Sequence, residues 1–203
     1  MFTALVELSE KVRNRGLWAS IEADRRAYGF TRSSAVFRLL TLSTWGLVLA
    51  YRVAHWLTAH NVPLIPGLLH SVGIVLWSSD ISPAAEIGAP LRIAHSVGIV
   101  IGGSCKIGDN CELFQNVTVG GRDQSSDDGT DAMPVIGHHV TLCAGAVVIG
   151  SLRVGDGVIV GANAVVLRDV PEYTAVAGIP AAPVNKVDVP HAVRSLPASF
   201  GEP

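Results

Sequence analysis

His95 is the side chain of this 203-residue chain whose type and position most invite chemistry. An imidazole with an ordinary pKa near ~6.5 takes and returns a proton at neutral pH. His95 stands between Ile93 and Ile101, where a spacing of six between aliphatic residues widens to eight. Breaks in a regular scaffold are where function is placed. Asp80 lies fifteen residues upstream. A carboxylate bonded to the far nitrogen of an imidazole fixes its tautomer and stabilises the imidazolium formed on proton transfer. A plain corner histidine and a plain cap on a first strand are the bland readings of the same two residues. The other candidates carry less. His55 reads as packing within a helical region, and His138 and His139 as solvated turn residues. Cys105, Cys111 and Cys143 are odd in number and show no CxxC spacing. Neither a disulfide framework nor a zinc site is expected from them, and a reducing, cytoplasmic setting fits. No His, Cys and Asp cluster has ligand spacing, so no metal is expected.

The elements that must position these residues show in the repeat. Ile136, Leu142, Val148, Val154, Val160 and Val166 follow one another by six. So do Ile101, Ile107, Leu113 and Val119, and before them Ile81, Ile87 and Ile93. A hexapeptide of this kind makes a short strand and a turn, and three of them close a triangular coil. The aliphatic residue points inward and stacks on its equivalents above and below, while small neighbours turn the corner. About six coils fit between residues 78 and 180 on this reading. Between Val119 and Ile136 the step is seventeen, and the polar, Asp-rich segment 121–133 reads as an inserted loop. Before residue 78 the spacing is helical: Leu40, Trp45, Leu49, Val53 and Trp56 share a face, with a hinge near Asn61–Pro66. The expected organisation is a helical region over 1–77, a parallel β-solenoid over 78–187, and a tail over 188–203.

Composition narrows the partners. With a net charge of −2, the chain offers no broad basic surface, and nucleic acid is not expected. Charged residues make up only 16% of the chain and hydrophobic ones 49%. So apolar a surface is expected to be covered by other subunits or to lie near a membrane peripherally. The run Leu39–Tyr51 is shorter than the ~20 residues that span a bilayer. The N-terminal stretch has no basic region followed by an apolar run, so it does not read as a secretory signal.

Five segments carry a resemblance: RVAHWL (52–57), DISPAAEIG (80–88), AHSVGIVIG (94–102), QNVTVGG (115–121), and GANAVVLRDVP through AGIPA (161–181). Over roughly residues 20–185 the chain resembles the hexapeptide-repeat acyltransferases, and among them the serine acetyltransferase branch. That resemblance implies a mainly β, left-handed parallel β-helix with a helical N-terminal region. Periodicity alone does not give the hand. It also implies a homotrimer, with a hexamer as the larger alternative, and active sites between neighbouring β-helices. Acetyl-CoA is the implied acyl donor. His95 then becomes the base that takes a hydroxyl proton as the oxygen attacks the thioester, with Asp80 as its partner. Gly121, Ala144 and Ala162 match positions whose backbone holds the pantetheine arm. Arg168 matches a phosphate contact or a solvated turn. Backbone N–H groups near Gly120 and Gly121 would receive the oxyanion.

The acceptor side departs from the branch. Ala94 stands where the family has an Asp before the catalytic histidine. Ala132 and Met133 precede Pro134 where the family has Arg-His. Gly29 lies near the place of a further family Asp. A missing charge-assisted bond costs about 1.5–3 kcal/mol. The expected function is therefore acetyl transfer to a hydroxyl other than that of free serine, such as a sugar of a surface polysaccharide or a small metabolite. Serine O-acetyl transfer with a rebuilt acceptor site is the second reading, and a non-catalytic trimeric scaffold the third.

Overall fold

The computed structural model describes residues 16–31, 43–121 and 133–187. Residues 122–132 of the inserted loop, with Ala132 among them, and the tail 188–203 lie outside the described residues. Among the described residues fifteen short strands form three faces. The first face stacks β1 (Asp80–Ile81), β4 (Val100–Ile101), β7 (Thr118–Gly120), β10 (Val147–Ile149) and β13 (Val165–Val166) in parallel. The second stacks β2 (Glu86–Ile87), β5 (Lys106–Ile107), β8 (Val135–Ile136) and β11 (Arg153–Val154), extended by a bridge from Val154 to Val170. The third stacks β3 (Leu91–Ile93), β6 (Cys111–Leu113), β9 (Thr141–Leu142), β12 (Ile159–Val160) and β14 (Thr174–Ala177), and antiparallel β15 (Ala182–Lys186) closes it.

This is the parallel β-helix that the period of six predicts. Ile81, Ile101, Val119, Val148 and Val166 line the first face inside, and Ile87, Ile107, Ile136 and Val154 the second. Ile93, Leu113, Leu142, Val160 and Val176 line the third, and all are buried. Five strands on the first face make fewer coils than the six expected from length. The seventeen-residue step before Ile136 and the eight-residue step at His95 take up the difference.

Two kinds of corner turn the coil. After the second face stand Gly88, Gly108, Gly137 and Gly155, each close against the next coil. A Cβ on Gly108 would lie 2.5 Å from the Gly137 carbonyl oxygen, and one on Gly155 2.5 Å from the Glu172 nitrogen. Before the first face the turn needs the left-handed backbone. Gly98, Asn116, Gly145 and Asn163 supply it, with φ of 74°, 59°, 70° and 55°.

Among the described residues three helices, α1 (Leu17–Ala27), α2 (Thr44–Ala59) and α3 (Ile65–Trp77), precede the solenoid. They cover its first coil, beneath which no further coil lies among the described residues. Tyr51 Oη donates to the Ala85 carbonyl at 2.8 Å and accepts the Ile87 N–H at 3.2 Å. Tyr28 Oη does the same with Ile93. Arg52 donates to the Ile87 and Gly88 carbonyls at 2.5 and 2.7 Å. Side chains thus replace a missing ladder, because a buried strand edge without partners is costly. Among the described residues, no helix is long and apolar enough to cross a membrane.

Candidate active site

His95 lies at the corner between the third and first faces. Ile93 pairs with Leu113 and Val100 with Thr118, so the turn 94–99 holds two residues more than the turn 114–117 above it. His95 sits in that excess and is exposed. The bulge is pinned on both sides. Ala94 N–H donates to the Leu113 carbonyl at 2.9 Å, and Asn116 N–H donates to the Val97 carbonyl at 2.9 Å. Below, Gly98 N–H donates to the Ser78 carbonyl at 2.9 Å, and the Ser79 hydroxyl donates to the Ser96 carbonyl. The slip of two seen in the sequence is therefore a fixed loop that carries an exposed imidazole.

Asp80 opens β1 beneath the same corner, with its N–H on the Ile99 carbonyl at 2.8 Å. Its carboxylate takes a partner that the sequence reading missed. His70 Nε2, from α3, lies 2.7 Å from Asp80 Oδ1. Among the described residues His95 has no such bond. The signal was available: His70 is the one ionisable residue in the apolar run Ile65–Trp77, ten residues before Asp80.

The expected donor residues fall into two groups. Ala144 and Ala162 stack above Gln115 at the His95 corner, through Gly145 N–H to the Gln115 carbonyl and Asn163 N–H to the Ala144 carbonyl, both 2.9 Å. Gly120 and Gly121 lie at the far edge of the first face, where Gly150 N–H donates to the Gly120 carbonyl at 3.0 Å. Arg168 is exposed beyond β13 on that same edge. The two groups are separated by the width of the face. A Cβ on Gly120 would meet nothing within 4 Å, so nothing in this chain's own fold demands a glycine there. A bare edge of this kind fits close approach by an extended amide-bearing ligand.

Other candidate groups are structural. His138 and His139 are half-buried, not solvated as expected. His138 Nδ1 accepts the Asp109 N–H at 2.9 Å, and burial, with the nearby His138, holds the His139 pKa down. His55 reaches the Pro83 carbonyl at 2.9 Å and ties α2 to the first coil. No cysteine offers a ready thiolate: burial pushes Cys105 up to about 11 and Cys111 up to about 12. Burial and the Glu112 charge raise Cys143. Among the described residues, no three His, Cys, Asp or Glu side chains come together to hold a metal ion. On the acceptor side, Ala94 is half-buried, and Met133 packs on the core with its thioether end over Gly102.

The repeat, its three stacked faces and the broken corner define a hexapeptide-repeat β-helix protein. The chain belongs to the serine acetyltransferase family. It is 39% identical to the serine acetyltransferase of Synechococcus elongatus over 142 residues, 70% of this chain and 57% of that protein. The chain therefore spans less than two thirds of the curated relatives it matches. The soybean serine acetyltransferase complexed with serine is 34% identical, with a TM-score of 0.74 over 90% of this chain and 76% of that one. The Brucella abortus serine acetyltransferase in complex with coenzyme A is 30% identical, with a TM-score of 0.72 over 92% of this chain and 73% of that one. Coils of opposite hand do not superpose in this way, so the chain coils with the hand of these structures. No family model matches the chain.

Proposed function

We propose that the chain moves an acetyl group from acetyl-CoA to the side-chain hydroxyl of serine. The relatives favour this acceptor over the glycan that the sequence departures pointed to. The observation that carries the reading is the pinned, exposed His95 in a fold shared with serine- and coenzyme-A-bound structures. In this mechanism His95 takes the hydroxyl proton as the oxygen attacks the thioester carbonyl. The tetrahedral intermediate collapses, the carbon–sulfur bond breaks, and the coenzyme A thiolate leaves with the proton returned by the imidazolium. Asp80 orients the imidazole and offsets its positive charge while the proton is held. Ala144, Ala162, Gly120 and Gly121 hold the pantetheine arm by backbone, Arg168 meets phosphate, and N–H groups near Gly120 receive the oxyanion. A cytoplasmic homotrimer suits this arrangement, because a groove between two β-helices brings one edge from each neighbour and unites the two groups of donor residues.

A neutral hydroxyl acceptor is the second reading. Ala94 and the core-packed Met133 favour it, since neither offers a charge to the ammonium or carboxylate of serine.

The test is coenzyme A release from acetyl-CoA with serine, homoserine or a panel of glycans. Turnover with serine, reduced about 10²–10⁴-fold in His95→Ala, is the expected result. Turnover only with neutral hydroxyl compounds would transfer the proposal to the second reading. Full activity in His95→Ala would remove the mechanism.

A further inference from the structure

We propose that His70 is a positioning residue for the acetyl transfer: from α3 it holds one carboxylate oxygen of Asp80 and leaves the other for His95. The inference rests on the reading of His95 and Asp80 as the working pair. Asp80 opens a strand at the solvent edge, and its side chain is 53% exposed. A carboxylate so placed turns freely about its side-chain bonds, and orienting a neighbouring imidazole requires that freedom to be removed. His70 removes it, with Nε2 at 2.7 Å from Oδ1. Among the described residues, Oδ2 has no hydrogen bond.

His70 is itself well anchored. Its side chain is only 28% exposed, and it lines a cleft with Leu47, Tyr51, Gly73 and Ile81 between α2, α3 and the first coil. The helix that carries it is fixed to the strand that carries Asp80. Trp77 is buried at its end and donates Nε1–H to the Ser43 carbonyl at 3.0 Å. Only Ser78 and the buried Ser79 separate Trp77 from Asp80. The chemistry of the residue fits the role. An imidazole reaches the carboxylate through one ring N–H, which occupies Oδ1 and leaves Oδ2 open.

The experiment compares wild type, His70→Ala, His70→Gln and Asp80→Asn as full-length proteins. It reads kcat, KM for acetyl-CoA, the pH–rate profile and thermal unfolding. His70→Ala should lower kcat about tenfold with KM for acetyl-CoA unchanged. The acidic limb of its profile should move to lower pH in the direction set by Asp80→Asn, because an imidazole without an aligned carboxylate loses its proton more readily. His70→Gln, a neutral donor of similar reach, should recover most of kcat and restore the limb. If Asp80→Asn changes kcat and profile but His70→Ala changes neither, the proposal fails and the working pair stands. A lowered unfolding temperature in His70→Ala with an unmoved profile also overturns it, leaving a purely structural contact. If Asp80→Asn leaves both unmoved, the pair itself is wrong.

Discussion

Arg52 makes four side-chain hydrogen bonds from α2. Its Nε and Nη2 grip both oxygens of Asp24 at 2.8 and 3.1 Å, and its Nη groups donate to the Ile87 and Gly88 carbonyls. Asp24 in turn accepts the Leu91 N–H at 2.7 Å. Both side chains are buried, at 5% and 1% exposure. A buried pair of this kind is costly to break because the survivor keeps its charge without a partner. Arg52→Ala should destabilise the fold by about 3–5 kcal/mol, read as a lower urea midpoint. Arg52→Lys should recover little, since one ammonium cannot serve a carboxylate fork and two carbonyls together. The RVAHWL segment is visible in the sequence, but the work of Arg52 is not. Its partners lie 28 to 36 positions away, at Asp24, Ile87 and Gly88. His70 escaped notice for a related reason. It stood in an apolar run whose spacing spoke of packing, while its partner opened the next element. The bulge that carries His95, by contrast, was legible because it interrupts a count.

At the scale of elements, the strands were legible and the closeness of the coils was not. Every inward aliphatic predicted by the period of six is buried. Periodicity says nothing of how near one corner comes to the next. At Gly108 a Cβ would lie 2.5, 2.6 and 2.8 Å from backbone atoms of Gly137 and His138, and backbone cannot swing aside as a side-chain end can. Gly108→Ala should therefore force the coils apart and cost about 3 kcal/mol or more, comparable to overpacking a core. Gly67, in the first turn of α3, meets nothing within 4 Å. Gly67→Ala should stabilise by about 0.5–1 kcal/mol through helix propensity and the loss of unfolded-state freedom. Thermal unfolding of the two variants should thus move in opposite directions. Similar shifts would mean that the corners have slack.

For the whole molecule, a solenoid is only as stable as its ends, and here one end is closed by phenols. Tyr28 and Tyr51 bridge the edge of the first coil as donor and acceptor at once, Tyr51 buried and Tyr28 half-buried. Burial pushes Tyr28 up to about 12 and raises Tyr51 further, while Cys111 in the core rises to about 12. Each is neutral when protonated, and each holds its proton more tightly folded than unfolded. The contribution to stability is complete below about pH 8, where the unfolded thiol and phenols are also protonated. It is then lost as pH rises, from about 9 for the thiol and about 10 for the phenols. Each unit of displacement is worth about 1.4 kcal/mol. By pH 11 all three groups favour the unfolded chain, so each withdraws stability in the same direction. Urea unfolding between pH 7 and 11 should show a stability that is flat at first and then steepens downward above about pH 10. Tyr51→Phe separates the two roles of the phenol. At pH 7 it should be less stable by about 1–3 kcal/mol, because the Ala85 carbonyl and Ile87 N–H lose their partner inside the cap. Above pH 10 its decline should be shallower than that of the wild type by about 1.4 kcal/mol per unit, since one ionising group has gone. A variant that starts lower yet falls at the wild-type rate would show that the cap opens before Tyr51 ionises, and that the end of the solenoid frays independently of its coils.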